Sequence, residues 1–186
     1  MNTEMAREMI RKYSKEKLEG NKISGYEHSE RVYKLARRIG GLQNDDVVYA
    51  ASYLHDIAFT EPHNKIAAAN AERLMRQMRY SDKDIENAKD AILNHITDGE
   101  PETDDGIAVH DANQLENLGA IGVVRICWLG KDSSKVTSIS DLVKVLKNYR
   151  ERCYGSLISE RGKMLASEKL KVMDAFIAAL EKELEC

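Results

Sequence analysis

Proline is nearly missing from this sequence. Its two copies, Pro62 and Pro101, fall where helical periodicity breaks anyway, so nothing interrupts a long helix from within. Cysteine is scarce too. Cys127, Cys153 and Cys186 cannot all pair within one chain, and none belongs to a C-x-x-C or zinc-type spacing. That excludes a disulfide framework and fits a reduced, cytoplasmic setting. Cys127 lies in an apolar run and reads as core, whereas Cys186, the last residue, reads as exposed. No stretch approaches the roughly eighteen apolar residues needed to span a bilayer. The opening MNTEMAREMI carries acidic residues and no long apolar core, unlike a secretory signal. A basic excess is also lacking, the formal net charge being -3. Extended nucleic-acid binding needs a positive field and is disfavoured. A small anionic ligand is compatible, because local cations or a metal outweigh the global sign. Neither a P-loop nor a dinucleotide-binding glycine pattern occurs.

What is there is helical periodicity. With 186 residues, 42% hydrophobic and 32% charged, the chain has the balance of a soluble globular protein with one sizeable core. The spacing predicts a first helix from about Thr3 to Glu19, ended by Gly20-Asn21, and a second from Gly25 to Ile39, stopped by Gly40-Gly41. Asn44 reads as the N-cap of a third, running through Val47, Ala51, Leu54 and Ala58. A fourth follows Pro62 and carries Ile66, Ala67, Ala71 and Leu74. Ser81 with Asp84 resembles a capping box for a fifth, continuing to about Ile96. After a loop at Thr97–Thr103, helical pieces run from Asp105 to Leu129, with Gly119 and Gly122 read as close-packing positions. Helices over Ile139–Cys153 and Ser159–Leu184 complete the chain, the last with Leu170, Met173, Phe176, Ile177 and Leu180 on one side. No strand, internal repeat or low-complexity segment is evident. The expected fold class is all-α, a single-domain helical bundle over residues 1–186.

Polar residues stand where apolar ones belong. His28 extends the Val32, Leu35, Ile39 face of the second helix. His55 follows Ala51 by four residues, with Asp56 next to it. His95 continues the Ala88, Ala91, Ile92 face, and Asp111 sits between Ile107 and Leu115. A lone histidine on an apolar face is ordinarily a satisfied core residue. Repetition on four helices is what favours a shared partner, because buried carboxylates are expensive unless compensated. A divalent cation accepts imidazole nitrogen and carboxylate oxygen in one shell. Such ligands suit Mn, Fe, Co, Ni or Zn better than Mg, which prefers oxygen throughout. By spacing alone the reaction stays open.

The order His28, His55-Asp56, Asp111 resembles the H…HD…D signature of the HD-domain metal-dependent phosphohydrolase superfamily. The contexts HSERVYKLA, AASYLHDIA and HDANQLENLGAIGVVR carry the likeness. The last is similar to the D-A-D-R-L-D-x-x-G-A-x-G segment of a subgroup of predicted HD hydrolases with an H…HD…H…H…D pattern. The match covers about residues 20 to 130, the helices over 139–184 being additions packed on that core. Two departures are visible: the D-A-D-R-L-D run reads Asp111-Ala112-Asn113-Gln114-Leu115-Glu116, losing one acid and the Arg, and Ala58-Phe59 replaces a common Gly-Lys.

The resemblance implies His28, His55, Asp56 and Asp111 as metal ligands, with Asp56 central to catalysis. It makes His63 and His95 candidates for a second metal or for phosphate contact, hence one or two ions per chain. The implied activity is hydrolysis of a nucleotide or another small phosphate ester by metal-activated water. Arg31 and Lys65 are candidate phosphate contacts, although each reads more readily as a structural ion pair or a solvated charge. Two other readings stand beside this one: a non-catalytic, metal-stabilised nucleotide-binding module, and a binuclear-iron oxygenase. The apolar C-terminal helices fit either packing within the chain or a homo-oligomer.

Overall fold

The third helix is buried along most of its length, and the N-terminal helices gather around it. In the computed structural model, residues 3–131, 133–134 and 136–185 are described; Cys186 lies outside them. The helices are α1 (Thr3–Lys17), α2 (Tyr26–Ile39), α3 (Asp45–Leu54), α4 (His63–Gln77), α5 (Asp82–Leu93), α6 (Asp104–Glu116), α7 (Gly119–Gly130), α8 (Ile139–Gly155) and α9 (Glu160–Leu184). No strand occurs among the described residues. None of the described helices is long and apolar enough to cross a membrane. The fold is all-α, as the periodicity predicts.

The chain divides into two compact units, Met1–Asn113 and Gln114–Cys186, the division falling within α6. In the first, α3 packs against α1, α2, α4 and α5. Every residue from Val47 to Leu54 is buried, as expected of a helix apolar on all sides. Asn44 caps it, its side chain accepting from the Asp46 N–H. Ser81 caps α5 in the same way through Asp84, and Gly40, at φ 78°, ends α2. Asp105 at the start of α6 is wholly buried and accepts from the Gln43 N–H at 2.8 Å and from Asn87 Nδ2 at 2.8 Å. These bonds register α6 against the entry to α3 and against α5.

In the second unit α7, α8 and α9 pack on one another. Gly119 adopts φ 75°, and a Cβ there would meet Lys169 Cβ at 3.1 Å, so glycine permits the approach of α7 to α9. Close packing is therefore its role, as expected. The α9 core face is Gly162, Ala166, Met173 and Ile177.

Several sequence expectations need correction. The third helix ends at Leu54 rather than Ala58, and the fifth at Leu93 rather than Ile96. His55 and His95 thus lie just beyond helix ends, not within helices. Ile66 and Phe176 are exposed, since a helix face read from spacing has no sharp edge. Cys127 is half-buried rather than core, while Cys153 is buried.

Candidate metal centre

Four histidines, from α2, the ends of α3 and α5, and the start of α4, meet around one carboxylate. Asp56 Oδ2 lies 3.4 Å from His55 Nε2 and 3.6 Å from His28 Nε2. Its other oxygen, Oδ1, lies 3.3 Å from His95 Nε2. His28 and His55 approach Nε2 to Nε2 at 3.2 Å, and His63 and His95 do the same at 3.4 Å. Two donor groups result, His28–His55–Asp56 and Asp56–His63–His95, each with its ligand atoms within 4.8 Å of one another. Asp56 belongs to both.

Local chemistry fixes the direction in which each ring faces. His55 caps α3, its backbone N–H bonding Ala51 O, and its Nδ1 lies 2.9 Å from Ser52 O. His95, one residue beyond the Asn94 cap of α5, places Nδ1 2.7 Å from Ile92 O. A carbonyl oxygen only accepts, so in both rings Nδ1 carries the proton and Nε2 offers its lone pair. His63, first residue of α4, gives Nδ1 to the Glu61 carboxylate at 3.1 Å and likewise turns Nε2 inward. His63 and His95, both with Nδ1 spent on an acceptor, bring Nε2 to Nε2 at 3.4 Å, an arrangement that a cation between the two rings suits.

The donor set fits a divalent ion. With metal–ligand bonds of about 2.0–2.2 Å, neighbouring ligand atoms stand roughly 2.8–3.1 Å apart in an octahedral shell and roughly 3.3–3.6 Å apart in a tetrahedral one. The separations within the two groups, 3.2 to 3.6 Å, match this closely. The carboxyl end of α3 carries the negative end of its dipole, a setting that opposes a bare carboxylate and favours a cation. Burial tends to raise the Asp56 pKa, but positive charge and hydrogen bonds at His55 and His95 outweigh it and hold the carboxyl well below the usual range; with the rings neutral, that charge is the cation's to supply.

The sequence-predicted residues are thus distributed as follows. His28, His55, Asp56, His63 and His95 come together. Asp111, on α6, is wholly buried and lies 3.0 Å from His110 Nδ1, but it belongs to neither 4.8 Å group. Arg31 lies beside His28 in the wall of a cleft of ≈ 400 Å³ that also includes Lys15 and Lys22. Lys65 is exposed in the first turn of α4. Spacing did not point to Glu61, whose sequence signal is an acid two residues before His63. Nor did it point to Asn113, whose Nδ2 donates to His95 O at 3.0 Å.

Comparison with known proteins bears on the fold and the family. No curated protein matches the chain. Among solved structures, the Lin1889 protein of Listeria innocua superposes with TM-score 0.80 at 22% identity, covering 100% of this chain and 98% of that one. Bacillus subtilis YpgQ, solved in complex with ADP, gives TM-score 0.79 at 20% identity over 98% and 97%. An HD-superfamily hydrolase of Bacillus thuringiensis gives TM-score 0.76 at 19% identity over 100% of both chains. The HD-domain family model matches residues 25–118, an interval that holds every residue of the two donor groups and Asp111. The chain belongs to the HD-domain family.

Proposed function

We propose that this protein is a divalent-metal-dependent phosphohydrolase acting on a nucleotide or another small phosphate ester. One observation carries the reading: Asp56 divides its two oxygens between two histidine groups. His28, His55, Asp56 and Asp111 would hold one ion, and His63, His95 and the shared Asp56 a second. An ion there supplies Lewis-acid polarisation of a phosphoryl oxygen and a water of lowered pKa as nucleophile. The chain's own residues do the rest. Ser52 O, Ile92 O and Glu61 keep the imidazoles facing inward, so little reorganisation is needed when substrate arrives. Arg31, in the cleft wall beside His28, would neutralise phosphate charge, with Lys65 at the start of α4 as a second cation. The ADP in the YpgQ structure supports a nucleotide as the ester.

The test is metal content by mass spectrometry, combined with a phosphatase screen of wild type and Asp56→Ala with Mn, Co, Ni and Mg supplied in turn. Bound transition metal with turnover lost in Asp56→Ala is expected. Equal turnover in both proteins refutes the reading. Bound metal with no phosphate ester hydrolysed refutes it in favour of a metal-stabilised binding module, or of an oxygenase if the metal is iron and oxygen is consumed.

A further inference from the structure

We infer that His110 is a positioning residue for Asp111, its Nδ1–H fixing one carboxylate oxygen so that the other faces the ion. Both side chains are wholly buried, and His110 Nδ1 lies 3.0 Å from Asp111 Oδ1. An ionised carboxylate only accepts, so Nδ1 carries the proton and Nε2 is left as an acceptor. That Nε2 is buried and has no hydrogen-bond partner. An orphaned acceptor in the interior costs free energy that an apolar side chain of similar volume would not. What the imidazole supplies and an apolar residue cannot is an N–H on Asp111 Oδ1.

The contrast with the other rings locates its role. His55 and His95 each give Nδ1 to a backbone carbonyl and turn Nε2 toward Asp56. His110 gives Nδ1 to a carboxylate, and it belongs to neither donor group. It acts through Asp111 rather than on an ion directly. Three residues further along α6, Asn113 braces the carbonyl of His95, so this helix supports the centre at two points. Outer hydrogen bonds of this kind tune ligand basicity and orientation.

The inference rests on Asp111 being a ligand in the proposed reading, and its test measures binding rather than turnover. Manganese affinity is measured by competition with a chelating indicator for wild type, His110→Leu, His110→Asn and His110→Gln, alongside the melting temperature of each metal-free protein. The Asn amide stands where Nδ1–H was; the Gln amide stands nearer Nε2. His110→Leu weakens manganese binding by about 10–100-fold, and His110→Asn restores most of it. The metal-free Leu variant melts no lower than wild type. Wild-type affinity in His110→Leu overturns the inference. Should the Leu variant not fold, Gln binding as tightly as Asn overturns it. A wild type that binds manganese but hydrolyses no ester defeats the proposed activity alone; one that binds no divalent ion defeats both.

Discussion

Changing Asp56 to Asn keeps the shape of the side chain and removes the charge on which both donor groups converge. One ion at a hundred times its Kd stabilises the folded state by about 2.7 kcal/mol. For a chain of this size each kcal/mol moves the melting temperature by roughly 2–4 °C, so one ion shifts it by about 5–10 °C. Because Asp56 Oδ2 faces His28 and His55 while Oδ1 faces His95, a single substitution disables both groups. His63→Gln, by contrast, leaves the His28–His55–Asp56 group whole. Melting curves with increasing manganese, together with metal counting by mass spectrometry, separate the cases. Wild type takes up two ions with additive shifts. His63→Gln keeps one ion and about half of the shift. Asp56→Asn loses nearly all of both. A metal-induced shift in Asp56→Asn equal to wild type would refute the shared-carboxylate argument. Two ions retained in His63→Gln would refute the division into two groups.

Glu61→Gln replaces the anionic acceptor behind His63 Nδ1 by a neutral one, and weakens the second ion by at most about tenfold while the first is unaffected; a manganese titration reads both steps. Arg7 reaches Asp45 at 2.8 Å and bonds Asp46 Oδ1 with its Nε at 2.7 Å at the entry to α3, so Arg7→Met costs about 1–2 kcal/mol at neutral pH by urea unfolding. Burial tends to raise the Asp45 pKa, but Arg7 and Tyr33 hold it below its ordinary value. Its contribution is therefore complete above the ordinary carboxylate range and is lost as pH falls through the lower folded value. The cost of Arg7→Met should accordingly shrink below about pH 4; an undiminished cost at pH 3 would contradict this. Burial pushes the Cys153 thiol up to about 11, countered only in part by Arg152 and Arg125. At pH 8 it resists alkylation until the protein unfolds, as peptide mass mapping would show; prompt labelling in the native state would contradict its burial.

Helix starts were legible because their signals are local. Asn44 and Ser81 each cap a helix through a side chain two or three residues from its target, and a short-range rule finds them. Helix ends at the site were not legible, for a physical reason. His55 keeps right-handed helical angles, φ -63° and ψ -36°, so the apolar spacing from Val48 and Ala51 continues smoothly into it after the helix has stopped. Spacing likewise placed His28, His55, His95 and Asp111 on inward faces but gave no azimuth finer than a face. It therefore could not tell which histidines share a carboxylate oxygen. His110 escaped notice because adjacent residues on a helix point in different directions, and its bond to Asp111 depends on rotamers rather than on period.

The two helix ends that spacing set too late, those of α3 and α5, have a common cause. A histidine just past a helix end can spend Nδ1 on an orphan carbonyl and still project Nε2 beyond the helix axis. His55 does this on Ser52 O and His95 on Ile92 O, at the negative ends of two helices packed side by side. The same carbonyls that would otherwise be left unsatisfied thereby orient the metal ligands. A helix extended through either histidine would pair those carbonyls with later N–H groups and release the ring. The early helix endings and the convergence on Asp56 are therefore one structural fact: the centre exists because α3 and α5 stop where they do.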